Sequence, residues 1–435
     1  IGGRNVKGKR TLNRATSPVQ PGSTIKPLSI YTAAIDTLEM TQSTVFSDAR
    51  GGYKFKENRK WNPSTTTAGV GNMSLRLGLA KSSNTVAVKT AENLGESYQD
   101  CIDVMMDYLK NFGITTVVDS KTNSSNTTDR SFPSLVLGGM AYGISPLEMS
   151  AAYGALANGG VYIEPTVFTT VSTYNGELIV KSTPQEHRVV DEEVAYVMTD
   201  MLKAVLTEGT GSDASIGKMP VAGKTGTTNN KYCVWFVGYT PYYVGATYIG
   251  DDVGRKDSNG NKIDLRPVEG SSSTTAKLWA NVMKPIHENL EVVDFEKPSG
   301  INFYKINLTD GGLSSYGSNA AFVKGTSPTR TSSYSVPTPS NTGTTQDEPT
   351  NDNAGDGDNP PDDNTDNNNG DNTNDNNNNN NQTPGGNQDD NNNGDNGNTG
   401  GGDNQDNTTP GDNGETNTGG ITDTNNATEA LQPEQ

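Results

Sequence analysis

The chain changes character at residue 340. From there to its end it contains no Lys, no Arg and no long apolar run, and Asn, Asp, Gly, Thr and Pro dominate. A segment of that kind cannot bury enough apolar surface to offset a chain entropy of roughly 1–2 kcal/mol per residue. Length alone would allow two or three domains, but a packed core is confined to residues 1–340. Residues 341–435 are expected to be a disordered, solvated spacer.

The same break explains the charge. The chain holds 33 Lys and Arg against 51 Asp and Glu, for a net charge of −18. Twenty of the acidic residues fall after residue 340, so residues 1–340 carry 33 basic and 31 acidic groups, a net of +2. The acidic balance belongs to the tail and says little about the body's partners; no nucleic-acid partner is expected. Two cysteines, Cys101 and Cys233, make no disulfide framework, and no CxxC or Cys/His cluster points to a metal. Two histidines, His187 and His287, leave little room for a Ser-His-Asp triad. The chain opens at Ile1 without Met, signal peptide or apolar span, so it reads as a piece of a longer protein.

Periodicity supplies the body's organisation. Pro21-Gly22 is a turn signal, and Ile25, Leu28, Ile30, Tyr31, Ala34, Ile35 and Leu38 predict a helix over 23–40 with Pro27 near its first turn. Residues 74–93 predict two helical pieces broken at Ser82-Ser83-Asn84. Further helices are expected over 98–112, 145–158, 191–207 and 273–290. Residues 219–228 and 232–250, rich in Val, Tyr, Phe and Trp, predict two antiparallel strands joined as a hairpin. The pattern is α+β. Three segments follow: a folded domain over 1–295, a linker or small remnant over 296–340, and the tail over 341–435.

Three short motifs carry chemistry: Ser23-Thr24-Ile25-Lys26, Ser82-Ser83-Asn84 and Lys224-Thr225-Gly226. On a helix, Ser23 and Lys26 share a face, so the lysine can reach the serine hydroxyl. Ser is a weak nucleophile until a base takes its proton, and Lys serves as base when burial and positive neighbours depress its pKa. Ser82 can relay a proton to a leaving amine, and Asn84 offers a donor and an acceptor to a substrate amide. Lys224 brings charge. Thr225 and Thr227 alternate with Gly226, so both hydroxyls point to one strand face. Gly226 lets a substrate backbone approach, and a peptide ending in a carboxylate could add alongside this strand. Capping by Ser82 and Asn84, and a turn at Gly226, are the bland readings. Ser215-Ile216-Gly217-Lys218 and Ser124-Ser125-Asn126 repeat two of the patterns without the context and are taken as accidental.

Order and spacing of this set mark penicillin-binding proteins and serine β-lactamases. Over roughly residues 1–290 the chain resembles the transpeptidase domain of class A penicillin-binding proteins. Gln20-Pro21-Gly22-Ser23, Leu79-Ala80-Lys81-Ser82-Ser83-Asn84, Leu137-Gly138-Gly139, Ser145-Pro146-Leu147-Glu148-Met149, Ala157-Asn158-Gly159-Gly160, Ala222-Gly223-Lys224-Thr225-Gly226-Thr227-Thr228 and Trp235-Phe236-Val237-Gly238-Tyr239 carry the likeness.

The resemblance implies a penicillin-recognising fold, an antiparallel sheet packed with helices beside a helical lobe. It implies an acyl-enzyme on Ser23 made from the D-Ala-D-Ala end of a peptidoglycan stem peptide, and trapping of Ser23 by β-lactams. Backbone N–H groups of Ser23 and Thr227 would form the oxyanion hole, and no cofactor is expected. It also implies an upstream glycosyltransferase domain, a membrane anchor and a place on the extracytoplasmic face of a bacterial membrane. Cys233 departs from the family pattern, which often carries Asp two residues before the tryptophan. A DD-carboxypeptidase differs only in its acceptor. A serine β-lactamase would need a deacylating base such as the Glu of an ExxLN loop, and no Glu between Ser82 and Lys224 sits in one. A non-catalytic β-lactam sensor or wall-binding module would be the non-enzymatic alternative.

Overall fold

The computed structural model describes residues 12–37, 40–49, 63, 67, 71–119, 127–252, 260, 261 and 263–334. The expected spacer over 341–435, Leu38 of the first predicted helix and the second Ser-Ser-Asn copy at 124–126 lie outside these residues. Among the described residues no helix is long and apolar enough to cross a membrane.

A three-stranded antiparallel sheet organises the body. Its strands are β7 (Ala222–Thr227), β8 (Cys233–Tyr239) and β9 (Val244–Gly250), in the order β7-β8-β9. The single long strand expected over 232–250 is thus two. Pro241 falls in the break, and the Thr240 hydroxyl accepts the N–H groups of Tyr242 and Tyr243, both at 3.1 Å, which closes a turn. All seven residues of β8 are buried. Its apolar run has no polar alternation because both faces are covered. Trp235, Val237 and Tyr239 join the main core, whereas Phe236 packs on the other side against Trp279 of α8 (Ser272–His287).

The main core gathers α6 (Pro146–Ala157) and α7 (Glu192–Thr207) with the helical lobe. That lobe contains α2 (Leu75–Ala80), α3 (Asn84–Ala91), α4 (Tyr98–Asn111) and α5 (Phe132–Leu137). Capping boxes at Ser97/Asp100 and Ser145/Glu148 start α4 and α6. The helix expected over 23–40 is subdivided: a 3-10 turn over Gly22–Ile25, a π-helical turn over Pro27–Tyr31, then α1 (Thr32–Asp36). Pro27 has no N–H for the α ladder, and its carbonyl instead accepts both the backbone N–H and the hydroxyl of Thr32.

Small ribbons complete the body: β1 (Val45–Ser47) with β2 (Asn72–Ser74), β3 (Val161–Ile163) with β6 (Glu186–Arg188), and β4 (Thr170–Ser172) with β5 (Leu178–Lys181). The stretch read as a linker or small remnant holds an antiparallel pair of six-residue strands, β10 (Ile301–Ile306) and β11 (Ser318–Val323). It clusters with the body, in a unit running to residue 344. Ile301, Ile306, Ala320, Ala321 and Phe322 are buried, and the buried Asp200 carboxylate of α7 accepts the Ala321 N–H at 3.0 Å. Packing of this kind replaces the linker expectation for residues 301–323.

Candidate active site

The 3-10 turn places Ser23 half-buried at the mouth of a cleft of about 510 Å³. Ser23, Asn84 and Thr227, one from each motif region, line that cleft together with Gln20, Leu137 and Asp251. Backbone-to-backbone contact fixes the turn. Gly22 has φ +53° and Gly138, which caps α5, has φ +77°; a Cβ on Gly138 would lie 2.2 Å from the Gly22 carbonyl oxygen. Behind it, the Tyr153 hydroxyl donates to the Thr24 carbonyl at 2.7 Å and the Trp235 indole donates to the Gln20 carbonyl at 2.8 Å.

Lys26 is fully buried. Its Nζ donates to Asn84 Oδ1 at 2.6 Å and to the Ser82 carbonyl at 3.0 Å, with a longer contact to the Ser83 carbonyl at 3.5 Å. Burial, and then the charge of Lys224, hold its pKa well below the ordinary lysine range. Ser82 sits at φ +57°, a left-handed conformation that costs a non-glycine residue about 1–3 kcal/mol. That conformation turns the Ser82 carbonyl toward Lys26. Ser83 caps α3, accepting the Val86 N–H at 3.1 Å, and its hydroxyl donates to the buried Asp48 at 2.5 Å. The capping reading of the second motif therefore falls on Ser83.

Lys224 is also fully buried, donating to the Thr225 carbonyl at 2.9 Å, and burial lowers its pKa to about 7. Thr225 is buried and shares a 2.5 Å hydroxyl contact with Thr210, whereas Thr227 is exposed. A Cβ on Gly226 would lie 2.7 Å from the Pro21 carbonyl oxygen and 2.8 Å from Thr24 Cγ2. The space a side chain would take at this glycine is filled by the nucleophile's own turn.

The ladder register orients the strand's edge. Thr228 N–H donates to the Cys233 carbonyl at 3.0 Å, so Thr227, paired with Val234, directs its N–H and carbonyl away from β8. β7 is the edge of its sheet, with Gly22 against Thr227.

Cys101 and Cys233 are both buried and are not joined in a disulfide, and burial pushes the Cys233 thiol up to about 12. His187 and His287 bond to the Asn111 carbonyl and to the Thr240 hydroxyl. In the second SxxK copy Ser215 and Lys218 are exposed and Gly217 has φ +99°. Residues that hold the site without having been flagged by motif are Asp48, Tyr153 and Thr210. Only Thr210 carries a local signal, its place between Gly209 and Gly211 at the end of α7.

A half-buried serine, a buried lysine of lowered pKa and an edge strand with a second lysine are the arrangement that the penicillin-recognising class is expected to have. The chain matches the penicillin binding protein transpeptidase domain model over residues 3–262 and belongs to that family. Its relatives there are class A proteins. It is 34% identical over 348 residues to penicillin-binding protein 1A of Clostridium botulinum, covering 76% of this chain and 39% of that protein. The Aquifex aeolicus penicillin-binding protein 1A is 33% identical over 334 residues, covering 75% and 42%. The chain thus spans about two fifths of these relatives' length. Penicillin-binding protein 1A of Haemophilus influenzae superposes with a TM-score of 0.59 at 26% identity, covering 73% of this chain and 50% of that one. The PonA1 protein of Mycobacterium tuberculosis, solved with penicillin V, shares the fold with a TM-score of 0.53 at 20% identity, covering 67% and 75%.

Proposed function

We propose that this chain is a serine DD-transpeptidase that cross-links peptidoglycan stem peptides through an acyl-enzyme on Ser23 and is trapped there by β-lactams. The observation that carries this reading is the environment of Lys26. A neutral amine has two N–H donors and one lone pair. Its two short hydrogen bonds, to Asn84 Oδ1 and the Ser82 carbonyl, use both donors. As a neutral amine Lys26 would keep a lone pair for the Ser23 proton, its 3.5 Å contact to the Ser83 carbonyl then carrying no donated hydrogen.

Ser23 Oγ then attacks the carbonyl of the penultimate D-Ala, and its proton passes to Lys26. The N–H groups of Ser23 and Thr227 receive the oxyanion; one such donor is worth about 3–4 kcal/mol. Ser82 relays the proton to the leaving D-Ala amine. Thr225 and Thr227 bind the terminal carboxylate, with Lys224 opposing its charge, and the peptide adds along the β7 edge. An amine of a neighbouring stem peptide attacks the ester carbonyl, the new amide forms as the bond to Ser23 Oγ breaks, and the amine's proton passes to Ser23 Oγ. In the longer protein an upstream glycosyltransferase domain and a membrane anchor would place this domain on the extracytoplasmic face of the membrane.

The test is intact mass with time after adding a penicillin, with Ser23→Ala as control. A slowly clearing adduct on Ser23 alone is the expected result. Rapid return to free mass with hydrolysed drug would make the chain a β-lactamase, and no adduct would remove the reading's support.

A further inference from the structure

We propose that Asp48 is a positioning residue for acyl transfer: its buried carboxylate holds Ser83, and through Ser83 the Ser82–Asn84 turn that receives Lys26. The inference rests on the transpeptidase reading above.

Asp48 lies just past β1 and is fully buried. Its own N–H donates to the Gly71 carbonyl at 2.8 Å, continuing the β1–β2 ribbon, and that ribbon runs straight into α2. α2 ends at Ala80, two residues before Ser82. The chain then returns on itself, because Ser83 Oγ donates to Asp48 Oδ1 at 2.5 Å. Lys89, farther along α3, donates to the Ser47 and Ala49 carbonyls on either side, at 2.6 and 3.1 Å. The Asp48 segment is therefore held from both ends of α3.

A hydroxyl has one proton and two lone pairs. Asp48 takes the proton of Ser83, so a lone pair stays aimed at the Val86 N–H that it caps. The Ser83 rotamer, and with it the left-handed Ser82, is set by the carboxylate. Burying a carboxylate is unfavourable, and a plain helix cap needs no charged partner. What the side chain adds is a short, directional acceptor contact for the Ser83 hydroxyl. It fixes the turn whose Ser82 carbonyl and Asn84 Oδ1 take both donors of Lys26. Asp48 touches none of the reacting atoms; it acts two residues removed from them.

The experiment measures penicillin acylation of Ser23 across a range of drug concentrations, giving a limiting rate and a half-saturating concentration for each variant. Asp48→Ala should lower the limiting rate about tenfold or more, with little change in half-saturation. Asp48→Asn, whose amide oxygen still accepts from Ser83, should recover to within about threefold of wild type. Ser83→Ala should lose as much as Asp48→Ala, and the double variant should be no slower than the slower single one. A merely structural carboxylate would give multiplying losses and no rescue by Asn. Wild-type acylation in Asp48→Ala, or in Ser83→Ala should the former not fold, overturns the inference and leaves the transpeptidase reading intact. An unreactive wild-type chain overturns both.

Discussion

Two buried lysines make opposite demands on pH. Lys26 must be neutral to act as base, and burial, then the charge of Lys224, lowers its pKa in that direction. Acylation should therefore rise with pH through that depressed pKa. Lys224 must be charged to oppose a carboxylate, and it loses its proton at about 7 against an ordinary 10.5. Acylation by a carboxylate-bearing penicillin should fall on the alkaline side, and Lys224→Met should flatten that limb while slowing the reaction. The stability effect has its own sign. Between about 7 and 10.5 the unfolded chain binds a proton that folded Lys224 does not, so this residue makes stability rise with pH across that window. Below about 7 both states are charged and the full cost of burial remains. Urea melts at pH 7 and 9 should show a smaller rise for Lys224→Met than for wild type.

At the scale of elements, the end of α7 joins the second motif to the third. Thr210 N–H donates to the Ala80 carbonyl at 3.2 Å, and its hydroxyl meets Thr225 at 2.5 Å. Gly209 allows this approach, since a Cβ there would stand 2.0 Å from the Ala80 carbonyl oxygen. Gly209→Ala must push α2 away, at a cost of about 1–3 kcal/mol, and should slow acylation because Ser82 follows Ala80. Thr210→Val keeps the volume and loses the hydroxyl contact, so stability should change by only about 1 kcal/mol while carboxylate-bearing drugs bind more weakly. Paired melts and acylation rates distinguish the two. A Thr210→Val chain with unchanged drug binding would show that Thr225 needs no support from α7.

Across the whole body, Asp200 is the joint. Its Oδ2 accepts Arg76 Nη1 at 2.7 Å, Gln42 Nε2 at 2.8 Å and the Ala321 N–H at 3.0 Å. One carboxylate thus ties α7, α2, the turn leading to β1 and the β10–β11 hairpin, and Glu208 holds the other side of Arg76 at 3.0 Å. Asp200→Ala takes an acceptor from the buried Arg76, which keeps Gln42 Oε1 and Glu208, from Gln42, which keeps the Ala321 carbonyl, and from the Ala321 N–H. Removing one partner of a buried pair costs about 3–5 kcal/mol, and a urea melt of this variant should lose that much. A loss below about 1 kcal/mol would mean that Glu208 alone suffices.

The chemistry available to this chain was written in its order of residues. Ser23 and Lys26 three apart, Ser82 and Asn84 at a helix break, and Lys224, Thr225 and Thr227 on a strand needed only local periodicity to be recognised, because helix and strand repeats are set by neighbouring dihedrals. The hairpin over 301–323 was not legible, since its six-residue strands are set among the Ser, Thr, Pro and Gly of 296–340, a composition shared with linkers, and its buried residues follow no strict alternation. The 3-10 and π turns around Pro27 were also hidden, because the missing N–H says where an α ladder fails and not what replaces it. Above all, the protonation of Lys26 and Lys224 and the partner of Ser83 were decided by tertiary structure alone. Desolvation depends on what is packed over a side chain, and the groups that cover these residues come from elements remote in sequence.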